Sequence, residues 1–314
     1  MPNKSDIITE LLKLNKTEIA KQNSGCNLQK YKGQYGLRKE FYEVNNTTVA
    51  KLLNKDFGKY TLIAFPNLFI SSINSIQYLI NHLSMVVKQY LGTVNSKLKV
   101  LVVALGNRHI SADSLGVAAI KNVIITKNLF GLEKFKHLPE VYAFATSVFG
   151  VTGMESSTII NSIIKEIQPD KLIVIDTLCA ANYKRLGTNF QINNAGITPG
   201  SGIGNARKTI NKDNNNIETI SIGVPLVVYA KSFISNAIDD INLKQILRKI
   251  DNKNANLVRD ILFKLEKYDF DNMIVTLKDI EHTVNLCGKI IGFAINKALL
   301  GLSYREQTDI LQIL

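Results

Sequence analysis

The 314-residue chain has only three cysteines. Cys26, Cys179 and Cys287 lie far apart, their number is odd and no CxxC occurs, which excludes a disulfide framework and a zinc ribbon. Histidine is scarce as well. His82, His109, His137 and His282 form neither an HExxH nor a close pair, so a zinc peptidase centre of that kind lacks its ligands. There is no GxSxG, hence no nucleophile elbow for a serine hydrolase. There is no GxxxxGK[ST], hence no phosphate loop of the nucleotide-hydrolase type. No apolar run approaches the ~18–20 uncharged residues that a membrane helix needs. The opening stretch MPNKSDIITELLKLNKTE mixes charges into its apolar positions and has no continuous apolar segment of the secretory kind. The expectation is a cytoplasmic protein that does not engage a membrane.

Acidic residues are in deficit. Against 38 Lys and Arg stand 26 Asp and Glu, a formal net charge of +12. Such a balance suits nucleic acid or another acidic partner. The lysines are nevertheless scattered among asparagines, with no block of five or more like charges. A Lys- and Asn-rich composition also follows from genome base bias, and direct nucleic-acid binding is not expected. Hydrophobic residues make up 46% of the chain, enough for a sizeable core in one large or two small domains.

What is present is an alternation of two periods. Apolar strand candidates occupy residues 60–65 (YTLIAF), 98–105 (LKVLVVAL), 141–146 (VYAFAT), 171–176 (KLIVID) and 218–228 (ETISIGVPLVV). Between them run helical patterns, SSINSIQYLINHLSMVVKQYL and SSTIINSIIKEI, the second stopping before Pro169. Strands alternating with helices predict an α/β fold with a mostly parallel sheet covered on both faces. The last third reads as helical in DINLKQILRKI, NANLVRDILFKLEKY and DIEHTVNLCGKIIGFAINKALLG. Residues 1 to about 40 differ from the body: IITELLKLNKTEIA predicts a short amphipathic helix, and KQNSGCNLQKYKGQYG reads as a linker or exposed loop.

Two carboxylates stand where such a sheet gathers its chemistry, beyond the carboxyl ends of strands. Asp113 follows the 98–105 strand and Asp176 ends the 171–176 strand. Brought together, they could share a proton and activate water, or hold a metal. Each could instead cap a following helix. His109, four residues before Asp113, could reach the same place or simply be solvated. Glu155, in GMES, is a further acid candidate or an ordinary carboxylate of a helix's first turn. The segment NNAGITPGSGIGNARK is dense in glycine. It is a weak dinucleotide fingerprint. It fits better a loop whose backbone comes close to a substrate, with Gly200, Gly202 and Gly204 as candidate amide donors, or a structural turn.

The blocks GVTGMESSTIINSIIKEIQPDKLIVIDTLCA, TNFQINNAGITPGSGIGNARK and SIGVPLVVYA closely resemble the germination protease family of spore-forming Firmicutes, and ALGNRHISADSLG and VTLKDIEHTVNLCGKIIGFAINKALLG extend the similarity over roughly residues 98–301. The resemblance implies an endopeptidase that degrades small acid-soluble spore proteins during germination, cutting after glutamate in the spore core. It implies a fold like that of hydrogenase maturation peptidases, with Asp113 and Asp176 as the essential aspartates. It also implies a homotetramer made as a zymogen. Self-removal of a prosegment would divide the chain into residues 1–40 and a single peptidase domain, 41–314, with the cut between Glu40 and Phe41 in YGLRKEFYEV. The chain departs from the family pattern at Ala112 and Val117, where proline is usual, and at Thr198, where histidine is expected. No cofactor is firmly implied; a divalent metal on the aspartate pair, as in a metal-dependent peptidase, stays open, and so does another protein substrate.

Overall fold

The computed structural model describes residues 5–15, 26–129, 135–200, 208–240, 270 and 272–313. Nine strands form one sheet: β1 (Cys26–Lys32), β2 (Arg38–Val44), β3 (Gly58–Ala64), β4 (Lys99–Ala104), β5 (Glu140–Ala145), β6 (Lys171–Ala180), β7 (Asn189–Asn193), β8 (Glu218–Tyr229) and β9 (Ile274–Thr276). Their order is β1-β2-β3-β7-β8-β6-β4-β5, with β9 beside the end of β8. The main helices are α1 (Ile8–Leu14), α2 (Thr47–Leu53), α3 (Ile73–Leu91), α4 (Leu115–Ile120), α5 (Ser156–Ile167), α6 (Ala230–Asp240), α7 (Ile280–Leu300) and α8 (Tyr304–Ile313).

The sheet is mixed, which corrects the expectation of a mostly parallel one. Only β5, β4, β6 and β8 run parallel to their neighbours; β8–β7–β3–β2–β1 is an antiparallel ribbon. The cause lies in strands with weak sequence signals. β1 was expected to be a linker, but it pairs with β2 along its whole length. It is an edge strand whose Gln29, Lys30, Tyr31 and Lys32 are all exposed, so no apolar alternation marks it. β7 (NFQIN) buries Asn189, Gln191 and Asn193, and its polar composition hid a central strand. The expected division at residue 40 falls inside β2, which pairs on one side with β1 and on the other with β3.

The strands that alternation did mark are set by burial on both faces. One face carries Val100, Val102, Ile173, Ile175, Ile220 and Ile222 under α3, α4 and α7. The other carries Leu101, Val103, Leu172 and Val174 under Ile160 of α5. Each such side chain contributes roughly 1.5–3 kcal/mol relative to an exposed one. α5 ends where expected, with Gln168 left-handed (φ 50°) just before Pro169. α7 is long and apolar enough to cross a membrane by length and composition, yet 72% of that stretch is buried inside the molecule. Its hydrophobicity is that of a core helix. Past Asp240, the helices expected at 240–250 and 254–268 lie outside the described residues.

Candidate active site

The site forms where β4 stops and β6 does not. β4 ends at Ala104, and Leu105 still donates its N–H to the Ile175 carbonyl (2.9 Å). The chain then turns at Gly106, whose φ of +96° an L side chain rarely adopts. A Cβ there would stand 2.0 Å from the Asp113 carbonyl oxygen. A single helical turn, Ser111–Asp113, brings Asp113 back to this turn. The Asn107 N–H donates both to the Asp113 carbonyl (3.0 Å) and to its carboxylate Oδ2 (2.9 Å). Ser114, not Asp113, occupies the N-cap position of α4. Gly116 then lets α4 lie on the sheet: a Cβ at that position would stand 2.7 Å from the Leu105 carbonyl and 2.8 Å from that of Ile175. The loop carrying Asp113 is thus pressed against the residue that precedes Asp176.

Asp176 does not end its strand, as the sequence suggested; β6 continues to Ala180. The residue is the first of β6 beyond its pairing with β4. It does not cap a helix; its Oδ1 accepts the N–H of Thr177 (2.8 Å). Strand alternation aims it to the α5 face, between Val174 of one apolar cluster and Leu178 of the next. It is buried, 7% exposed.

Burial and mutual charge separate the two carboxyls. Burial pushes Asp113 up to about 6, opposed by the Asn107 N–H. Asp176 is held well above the usual carboxylate range, first by burial, then by the charge of Asp113 and, more weakly, that of Asp6. Two neighbouring carboxyls both held above the usual range can divide base and acid work.

The other candidates fall differently. Glu155 is half-buried at the N-cap of α5 and makes no side-chain cap bond there; it is not among the groups that shift either aspartate. His109 is exposed. Among the described residues no three His, Cys, Asp or Glu side chains gather to hold a metal ion. The base of the glycine loop is closed by the Ile197–Ile210 bridge and a Thr198–Thr209 hydroxyl contact of 2.8 Å. Ile197 packs against both apolar clusters that flank Asp176, so the loop emerges on the same face. Gly200 is left-handed there (φ 72°); Gly202 and Gly204 lie outside the described residues. Glu40 and Phe41 are in the middle of β2.

Sequence reading missed Asn107, and it missed the residues that close over the site from the N-terminus. Asp6 exchanges bonds with Cys179, and Glu10 is held by Arg185. No local pattern marks them, because their partners lie more than 170 residues away.

Comparison with known proteins gives the class first: this is a hydrolase of peptide bonds, an endopeptidase. The match to the family described as Germination protease spans residues 5–270, and the chain belongs to that family. It is 29% identical over 293 residues to the germination protease of Caldanaerobacter subterraneus subsp. tengcongensis, covering 89% of this chain and 90% of that protein. It is 29% identical over 317 residues to the germination protease of Clostridium tetani, covering 95% and 96%. Over 145 residues it is 43% identical to the Bacillus subtilis germination protease, covering 45% of this chain and 39% of that one.

Proposed function

We propose that this endopeptidase begins the degradation of small acid-soluble spore proteins in the spore core, cutting after glutamate, with Asp113 and Asp176 activating the attacking water. The observation that carries the reading is the meeting of half-buried Asp113 and buried Asp176 where β4 ends, with both carboxyls held above their usual range and the charge of Asp113 felt at Asp176. Asp113, ionised at neutral pH, is the general base that takes a proton from water. Asp176, where burial and the Asp113 charge favour the proton, hydrogen-bonds the scissile carbonyl and passes that proton to the leaving amine as the C–N bond breaks; the proton Asp113 took from water then resets the pair. Backbone amides of the glycine loop, whose base at Ile197 packs on the apolar clusters of Val174 and Leu178, complete the oxyanion's hydrogen bonds. Pairing within β2 makes the Glu40–Phe41 bond a poor substrate until β2 is released; processing there converts a zymogen to the mature enzyme, and the working form is a homotetramer. The test is incubation of the purified protein with a small acid-soluble spore protein and mapping of the cuts, with Asp176→Asn as control. Cuts after glutamate by wild type alone support the reading; no cleavage, or cleavage by the variant, overturns it.

A further inference from the structure

One lysine of the antiparallel ribbon is buried without a counter-charge. In β2, Tyr42 and Val44 pack with residues of α1 and α2. Alternation therefore turns Lys39 to the opposite face, toward α3. Its register partner in β3, Ile63, lies in the apolar cluster under that helix. Lys39 is 8% exposed. Among the described residues its amine makes neither a hydrogen bond nor an ion pair, and no carboxylate acts on its charge. Lysines are almost never buried in this way unless paired, because an ammonium taken out of water needs compensation.

What surrounds the amine is aromatic. Tyr31, in register with Lys39 across β1, presents its ring centroid 5.6 Å from Nζ. That ring face attracts a cation but supplies no formal charge. Tyr78 and His82, one turn apart on α3, meet edge to face with ring centroids 4.3 Å apart. The His82 ring is 5.9 Å from that of Tyr31. The Tyr78 hydroxyl accepts the Gln34 N–H (3.1 Å) and bonds the Tyr31 hydroxyl. Nδ1 of His82 is buried and has no hydrogen-bond partner. The charge of Lys39 is felt at this ring.

These surroundings favour a neutral amine. Burial lowers Lys39 from its usual value. Burial and the Lys39 charge push His82 down to about 4, so its imidazole is neutral at neutral pH and Nδ1 can accept a proton. A desolvated lysine beside a proton acceptor has the makings of a nucleophile. The box opens at the sheet edge, where Tyr31 and Tyr35 are exposed. Lys32 and Arg38, the next pair of the ladder toward the turn, are exposed as well and keep that rim basic.

We propose that Lys39 is a site of covalent acylation by small acyl phosphates, with Tyr31, Tyr78 and His82 forming the box that presents its amine. Lys39 Nζ adds its lone pair to the acyl carbon. The bond from that carbon to the phosphate oxygen breaks, and phosphate leaves with the electron pair. The proton shed by nitrogen passes to His82 Nδ1 and on to water. Lys32 and Arg38 draw the anionic donor to the rim. The product amide carries no charge, so the reaction ends the burial of an unpaired cation. The step uses neither Asp113 nor Asp176.

The test is competitive labelling of the full-length protein. It is incubated with acetyl phosphate near neutral pH, quenched at intervals, unfolded, and its remaining amines are capped with deuterated acetic anhydride. Digestion and mass spectrometry then give the acetylated fraction at each lysine. Lys39 should react at least about fivefold faster than the median of the other lysines. Tyr31→Glu places a carboxylate in register with Lys39 and should bring its rate down to that median, by holding the proton on the amine. Tyr31→Phe should stay fast. Both exchanges are at an exposed edge position, where the fold tolerates them. His82→Phe should slow Lys39 and leave the other lysines unchanged; an unchanged Lys39 rate there would remove His82 from the step. Labelling of Lys39 no faster than the median, or fast labelling that persists in Tyr31→Glu, overturns the inference.

Discussion

Replacing Asp113 with Asn removes an ionisable carboxyl from a place that resists its charge. Burial raises Asp113 from 3.8 to about 6. The sign follows from linkage: the unfolded chain ionises this group near 3.8, the native chain only near 6, so the native state loses stability as pH rises through that window. Below about pH 4 both states hold the proton and the penalty vanishes. A shift of about two units corresponds to about 3 kcal/mol in full. Asp113 is only half-buried, and solvent screening reduces this to about 1–2 kcal/mol. The amide oxygen of Asn can still accept the Asn107 N–H, so the hydrogen bond that shapes the loop survives. The variant should therefore melt about 1.5–3 °C above wild type at neutral pH while losing activity, a stability gained at the expense of function. Calorimetry across pH checks it, and the gap should close as pH falls through the window from about 6 to about 4. An equal or lower melting temperature at neutral pH, or a gap that does not change with pH, would refute the assignment of a raised Asp113.

Asp176→Asn should leave the fold intact and lower peptide cleavage by at least about a hundredfold; near wild-type turnover by a folded variant removes Asp176 from the reaction. Wild-type kcat/KM should rise with pH on a limb centred near 6, where Asp113 ionises, and a limb near 4 would take the base role from it. Gly116→Ala should cost about 1–3 kcal/mol in urea melts, because the new methyl meets the Leu105 and Ile175 carbonyls; an unchanged midpoint would show that α4 can lift off the sheet freely. On processing, intact mass after prolonged incubation should show a new N-terminus at Phe41 in wild type and none in Asp176→Asn. A free peptide YGLRKEFYEV should be cut faster than the same bond in the intact chain, where β1 and β3 pair with β2. Equal rates would show that β2 does not shield it.

The parts of this fold that could be read from residues alone are those whose burial is two-sided. KVLVVA, KLIVI and ISIGVPLVV are apolar at nearly every position, as strands buried on both faces are, and they emerged as β4, β6 and β8 within a few residues of the expected limits. The antiparallel half was illegible for the opposite reason. β1 faces solvent, and β7 buries polar side chains. Asp113 and Asp176 were legible because a charge after a fully apolar run needs a reason. Their relation to the rest was not. Asp176 was read as the end of a strand that in fact goes on for four residues, and one of them, Cys179, binds Asp6 through its backbone.

That continuation joins the chemistry to the chain's N-terminus. A strand that outruns its neighbour leaves backbone donors and acceptors that must find partners, and an extended peptide is the natural partner for such an edge. Had β6 stopped at Asp176, the carboxyl pair would stand at a plain sheet end with nothing to align a peptide beside it. Because it runs on to Ala180, the strand offers backbone at Cys179 to Asp6, and the turn after it brings Arg185 to Glu10. In the folded chain those donors hold its own N-terminus at Asp6 and Glu10. One length of strand thus brings Asp6, bound to the Cys179 backbone, near enough for its charge to be felt at Asp176.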